Sequence, residues 1–164
     1  ISTDMTWNPA DQKVYGAFYN TTKNGYVFGT LDLETGAVNK LSDITLQDDK
    51  GYPAGFVVIA ANSIGEVYGI SQMGDLYKFN TEDGSYSLIG ATGYTPLYQQ
   101  SGCFDFTTKQ LYWAACNENS SGIYQVNTDT GEATLLGSFN DLEEFVGLYS
   151  LSPCLLYTSP SPRD

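Results

Sequence analysis

Histidine is absent from this 164-residue chain, and arginine occurs once, at Arg163. Without histidine the chain lacks the side chain that most often serves as general base, triad member or metal ligand. Nineteen acidic residues face seven basic ones, a formal net charge of −12. So little arginine and so much negative charge repel phosphate backbones and anionic lipid surfaces, which excludes nucleic acid as a partner. No apolar run approaches the ~18 residues of a spanning helix, so no membrane insertion is expected. No window of about 11 residues carries an apolar stripe at helical spacing, and helices should be nearly absent.

What the chain does contain is a turn written three times. Asp32-Leu33-Glu34-Thr35-Gly36 returns as Asn80-Thr81-Glu82-Asp83-Gly84 and again as Asn127-Thr128-Asp129-Thr130-Gly131, with the glycines 48 and 47 residues apart. A short alternating strand precedes each turn (28–33, 76–79, 123–126) and another follows it (38–41, 86–89, 133–136). Glycine supplies the positive φ of the corner, and the Asp or Asn four residues earlier can bond its own backbone. Upstream lies a second hairpin in each unit. Its strands pass through 5–7 and 14–16, 56–59 and 67–69, 103–106 and 111–113, joined by breaker-rich turns.

Each unit is therefore expected to be four antiparallel strands in about 40–50 residues, the size of a β-propeller blade. The fold class predicted is all-β: a partial propeller of three four-stranded blades in an open arc, at about 3–44, 55–92 and 101–139. Residues 145–150 suggest the start of a fourth. A closed propeller takes about four to eight blades, and the sequence opens at Ile1 without an initiator Met or signal peptide. The expectation is an internal portion of a longer protein whose further blades are partners, with exposed end blades that are sticky on their own. The last eleven residues, 154–164, break the pattern and resemble a translated sequencing-adapter read-through, the other reading being a Ser/Pro linker. They are set aside from fold reasoning, leaving 1–153 as the propeller domain.

Leu76-Tyr77-Lys78-Phe79-Asn80 with Ser85-Tyr86-Ser87-Leu88-Ile89-Gly90, and Ile123-Tyr124-Gln125-Val126-Asn127 with Glu132-Ala133-Thr134-Leu135-Leu136-Gly137, resemble a widespread bacterial propeller repeat. That repeat has a Leu-Tyr-x-Ile-Asp strand, a Thr-Gly turn and an Ala-Thr-x-Ile-Gly strand. The likeness covers about 5–150 and implies a propeller of an exported protein: extracellular, on the cell surface or periplasmic. It implies no catalytic residues and no cofactor. Two neighbouring types fit less well. Neither Trp7 nor Trp113 is followed by Asp as in a WD repeat, and no Trp follows the turns as in quinone-cofactor propellers.

In an up-and-down sheet the tight turns fall on one face, and the second-to-third and blade-to-blade connections on the other. The latter are expected to be longer: 18–25 and 115–122 within blades, 42–55, 91–102 and 138–145 between them. Loops on a rigid scaffold concentrate binding residues. This face gathers Tyr52, Tyr94 and Tyr98 with Asp48, Asp49, Glu118, Asp141, Glu143 and Glu144, a set suited to sugar stacking with hydroxyl bonding or to an aromatic-anchored protein contact. The bland alternative is that the tyrosines pack their own loops and the acids are solvated. Tyr15, Tyr68, Tyr112, Tyr77 and Tyr124 recur by position and are expected to pack between blades. No acidic pair has the loop spacing of a Ca²⁺ site, so no metal is assigned. Cys103 and Cys116, on adjacent strands, form either a cross-strand disulfide suited to export or two small buried residues.

The function expected is a non-catalytic recognition module with a protein or carbohydrate ligand on the long-loop face. The alternative is part of a polysaccharide hydrolase or lyase using loop-face carboxylates. A structural spacer is the third.

Overall fold

The turns around Gly36, Gly84 and Gly131 are one structure made three times, in a computed structural model that describes residues 2–150. The side-chain oxygens of Asp32, Asn80 and Asn127 accept the N–H groups of Glu34 (2.9 Å), Glu82 (2.8 Å) and Asp129 (2.8 Å). Their carbonyls accept the glycine N–H at 2.8, 2.9 and 2.8 Å. The glycines hold φ of 72°, 75° and 88°, the left-handed region that a Cβ resists.

The strands joined by these turns are β1 (Ser2–Asn8), β2 (Lys13–Asn20), β3 (Gly25–Leu31) and β4 (Val38–Ile44) in the first unit. The second holds β5 (Phe56–Ala61), β6 (Val67–Ser71), β7 (Asp75–Phe79) and β8 (Tyr86–Ala91), and the third β9 (Ser101–Phe104), β10 (Leu111–Cys116), β11 (Ser121–Val126) and β12 (Ala133–Ser138). They build three four-stranded sheets in sequence order, every neighbour antiparallel. The only helical element among the described residues is one 3₁₀ turn, Asn140–Leu142.

Strand alternation gives each sheet two faces, and two cores form between the three sheets. Tyr15, Ala17 and Phe28 of the first meet Phe56, Ile59, Val67 and Phe79 of the second. The other face of the second, with Val58, Tyr68, Ile70 and Leu76, meets Phe104, Leu111, Trp113 and Val126 of the third. The expected inter-blade packing of Tyr15, Tyr68 and Tyr124 is present. Strands β5 and β6, covered on both sides, are buried along their whole length.

Side chains of one inner strand also satisfy the edge of the next. Asp4 Oδ2 accepts the Ile59 N–H (2.7 Å) and Thr6 Oγ1 the Ala61 N–H (3.1 Å). Burial at this joint pushes the Asp4 carboxyl up to about 7, against the opposing effect of the backbone N–H bonds it receives. The folded state therefore holds the proton more tightly than the unfolded chain. The stability this gives is full below pH ~4 and lost as pH rises through ~7. Carboxylates held below their ordinary range, such as Glu66 by its hydrogen bond from Lys78, act in the opposite sense and only at lower pH. Asp4→Asn keeps an acceptor for Ile59. It should raise stability at pH 8 by about 1–2 kcal/mol, allowing for partial exposure, and leave pH 4 unchanged. Urea midpoints at the two pH values check this; an equal effect at both contradicts it.

Three expectations are corrected. The second-to-third connections are short: β2 and β3 extend to leave only 21–24, closed by Thr22 and Lys23 N–H groups on Asn20 Oδ1, and 117–120 closes in the same way on Asn117. Cys103 and Cys116 are free thiols. Cys103 pairs with Tyr112, so Cys116 lies four residues further along β10, about 13 Å at strand rise and beyond disulfide reach. Residues 145–150 form no strand, and no second strand pairs with them among the described residues. Their backbone still follows the joint seen at Asp4, because Leu148 N–H donates to Ser101 Oγ of β9 (3.0 Å). The segment 154–164 lies outside the described residues.

Candidate functional site

The links between sheets are fastened to the short loops inside them, which builds one continuous surface at this end of the molecule. Gln72, between β6 and β7, donates its backbone N–H to the Gly55 carbonyl (3.0 Å), and its Oε1 accepts the Gly55 N–H (3.0 Å). Thr92 Oγ1 donates to the Gly74 carbonyl (2.6 Å). Leu97 N–H donates to the Cys116 carbonyl (2.9 Å), and Asn117 Nδ2 to that of Thr95 (3.1 Å).

A buried amide holds the second link in place. Gln100 accepts from the Trp113 indole N–H (2.9 Å) and donates to the Leu97 (2.7 Å) and Cys116 (2.6 Å) carbonyls. These contacts fix both ends of the Leu97–Gln100 corner and throw Tyr98 outward. Tyr98 is 63% exposed and holds φ +67°, a conformation costly for an aromatic residue without special support.

Three adjoining hollows meet at Tyr98. One of about 450 Å³ lies between the two links, floored by Val57, Met73 and Pro96 and edged by Asp48 and Asp49. A second, about 500 Å³, runs past Asn117 and Cys116 to Glu118, Leu142 and Glu144. The third, about 320 Å³, descends toward the first sheet past Gln99 and Gln100 to Thr3 and Tyr26. Among the described residues no lysine lines any of the three.

The expected site residues therefore divide. Tyr98, Asp48, Asp49, Glu118 and Glu144 come together. Asp48 is partly committed, because its Oδ1 accepts the Lys50 (2.9 Å) and Tyr52 (2.8 Å) N–H groups; Glu144 accepts the Gln99 N–H (2.9 Å). Asp49 and Glu118 are the rim acids whose carboxylates accept no such bond among the described residues. Tyr52 is exposed on the Asp48 turn but lines none of these hollows, and Asp141, on the 3₁₀ turn, and Glu143, just after it, lie outside them. Tyr94 is structural: it packs edge-on against Trp113 (5.4 Å) and beside Tyr124 (5.0 Å), and its hydroxyl donates to the Ser120 carbonyl (2.6 Å).

Gln72, Gln99, Gln100 and Thr3 line the hollows, and the sequence does not announce them. A Gln pair in a loop is the only local signal. Both thiols are poor nucleophiles here: burial pushes Cys103 up to about 11 and raises Cys116, with the Glu144 charge adding to the latter. What the surface offers is an exposed aromatic face, shaped recesses, amide donors and acceptors, and acidic acceptors without a counter-cation.

No family profile matches the sequence, and no curated protein matches it. Solved structures do match in fold. A protein of unknown function from Bacteroides thetaiotaomicron superposes with a TM-score of 0.55 at 14% identity, over 80% of this chain and 32% of its own. Virginiamycin B lyase from Staphylococcus aureus gives 0.51 at 17% identity, over 83% and 40%. A Lactobacillus plantarum protein gives 0.50 at 22%, over 82% and 40%. This chain thus spans about a third to two-fifths of the length of these structures. At such identities the likeness concerns the fold alone, and that fold is an all-β, propeller-like stack of four-stranded antiparallel sheets.

Proposed function

We propose that the chain is a non-catalytic recognition module of an exported bacterial propeller protein, surface-attached or periplasmic, which binds a carbohydrate or a protein over Tyr98. The observation that carries this reading is Tyr98 itself. A large aromatic residue stands exposed in a left-handed backbone conformation, clamped from below by Gln100, where three recesses converge. Conformational cost kept at an exposed side chain is a mark of function rather than of folding. An exposed ring beside Gln and carboxylate acceptors suits a sugar face with its hydroxyls, or an apolar anchor of a protein loop. A polysaccharide hydrolase that works through carboxylates would need two of them facing one bond. Asp48 is instead bonded to backbone N–H groups of its own turn and Glu144 to the Gln99 N–H of the neighbouring link, which favours binding.

Tyr98→Asn separates site from scaffold. Asn tolerates the left-handed region, so stability should hold or rise by about 0.5–1 kcal/mol in urea unfolding. Affinity for the ligand selected from a panel of oligosaccharides and proteins should fall at least about tenfold, or ~1.4 kcal/mol. Unchanged affinity in calorimetric titration would contradict the reading.

A further inference from the structure

Two of the hollows at Tyr98 run together over the second sheet, which is packed between the first and the third. The hollow of about 450 Å³ and that of about 320 Å³ share Val57, Gln72 and Tyr98 in their linings. They make one trough. Its remaining walls come from the two links and from Thr3 and Tyr26 of the first sheet, so the three sheets and their connections enclose it by themselves.

The fold leaves several polar groups of this trough unused. Gln72 Oε1 accepts the Gly55 N–H (3.0 Å), while its Nε2 donates to nothing among the described residues. Gln99 is bonded there through its backbone N–H alone, which leaves its side-chain amide to solvent. Asp48 commits Oδ1 to its own turn, and the Asp49 carboxylate accepts no bond among the described residues. Donors and acceptors therefore stand together beside the exposed ring of Tyr98.

A ligand that fits must both donate and accept, offer the ring an apolar face and carry no negative charge. Sugars do all three. Their C–H faces lie on aromatic rings, and their hydroxyls donate to carboxylates and accept from amides. An acidic sugar would meet Asp48 and Asp49 with no lysine lining the trough among the described residues, in a chain of net charge −12. A protein partner would seat an apolar anchor in a dry pocket, and Asp and Glu are depleted from such interfaces. Both hollows lie toward the small end of ligand sites, about 300–1,000 Å³, a size for one sugar ring each. We propose that the trough binds a neutral oligosaccharide, with one unit on Tyr98 and a neighbour in each hollow. This rests on the reading of Tyr98 as the recognition residue and narrows it to one ligand class.

Calorimetric titration of the full chain with gluco-, manno-, xylo- and N-acetylglucosamine oligomers, from mono- to hexasaccharide, tests the proposal. Oligogalacturonides of matched length are the acidic counterpart. In at least one neutral series affinity should rise about tenfold or more from mono- to trisaccharide and then level off. The oligogalacturonides should not bind. Gln72→Glu keeps an acceptor for the Gly55 N–H and removes the Nε2 donor, so it should weaken the trisaccharide about fivefold or more and leave the urea midpoint unchanged. No binding in any neutral series, a monosaccharide as tight as the trisaccharide, acidic oligomers that bind as well as neutral ones, or full affinity in Gln72→Glu would each overturn the proposal. Tyr98→Asn separates the two claims. If only an acidic oligomer or a protein binds and Tyr98→Asn abolishes it, the recognition residue stands and the neutral-sugar assignment falls. A neutral trisaccharide that binds Tyr98→Asn at full affinity removes both.

Discussion

Gly131→Ala should destabilise the chain by about 3 kcal/mol, while the same substitution at Gly36 should cost about 1 kcal/mol. Both glycines hold positive φ, 88° and 72°, and an L-residue there costs roughly 1–2 kcal/mol. The difference lies in what the added methyl meets. At Gly36 it enters open space. At Gly131 it enters the Gly90 backbone, with the carbonyl carbon at 2.7 Å and Cα at 2.9 Å. Backbone cannot swing aside as a side chain can, so a further strain of about 1–3 kcal/mol follows. Gly84→Ala should also cost more than Gly36→Ala, because its neighbours Leu41 Cβ (2.7 Å) and Ser42 Cβ (3.0 Å) are held by the backbone, and Ser42 would lose its 2.6 Å hydrogen bond to the Gly84 carbonyl. Urea unfolding of the three variants measures the series. Equal costs would mean that the turns matter only for their own φ and that the sheets are not seated as described.

Trp113→Ala should be the most damaging single truncation, at about 4 kcal/mol. The indole is fully buried in the second core, within ring contact of Tyr94 and Tyr124. Large-to-small changes of this type cost about 3–5 kcal/mol. Trp113→Phe fills most of the volume but leaves Gln100 Oε1 buried without its donor, which should cost about 1–3 kcal/mol. The second variant carries the functional information. Gln100 holds the Leu97 and Cys116 carbonyls, so releasing it loosens the corner that presents Tyr98. Trp113→Phe should weaken ligand binding at a site it never touches. Full affinity in a folded Trp113→Phe chain would show that the corner keeps its shape without the amide.

Much of the architecture is legible in the sequence because it is local chemistry repeated. Asp32, Asn80 and Asn127, each followed four residues later by glycine, dictate the corner without help from the rest of the chain. Alternation around Tyr15, Tyr68 and Tyr124 assigns faces in the same way. Pairing across strands is less legible. Cys103 and Cys116 lie on neighbouring strands, yet register decides whether they meet, and it sets Cys103 opposite Tyr112. The loops are least legible. Tyr52, Tyr94 and Tyr98 look alike as loop tyrosines. What separates them is tertiary: Tyr94 finds Trp113 and the Ser120 carbonyl, while Tyr98 is lifted by Gln100, a polar residue that no periodicity marks as buried. The short second-to-third connections depend likewise on Asn20 and Asn117 closing their corners early.

The claim on which the functional account rests is that ligands engage the loop end of the sheets around Tyr98 and not the end bearing the repeated turns. Amide chemical-shift mapping of the labelled chain during titration with the panel of oligosaccharides and proteins tests it most directly. The account predicts shifts concentrated at 48–54, 95–100, 116–118 and 142–144, with residues 32–36, 80–84 and 127–131 unmoved. Shifts centred on those turns, or a binding ligand that leaves the Tyr98 corner unchanged, would contradict it.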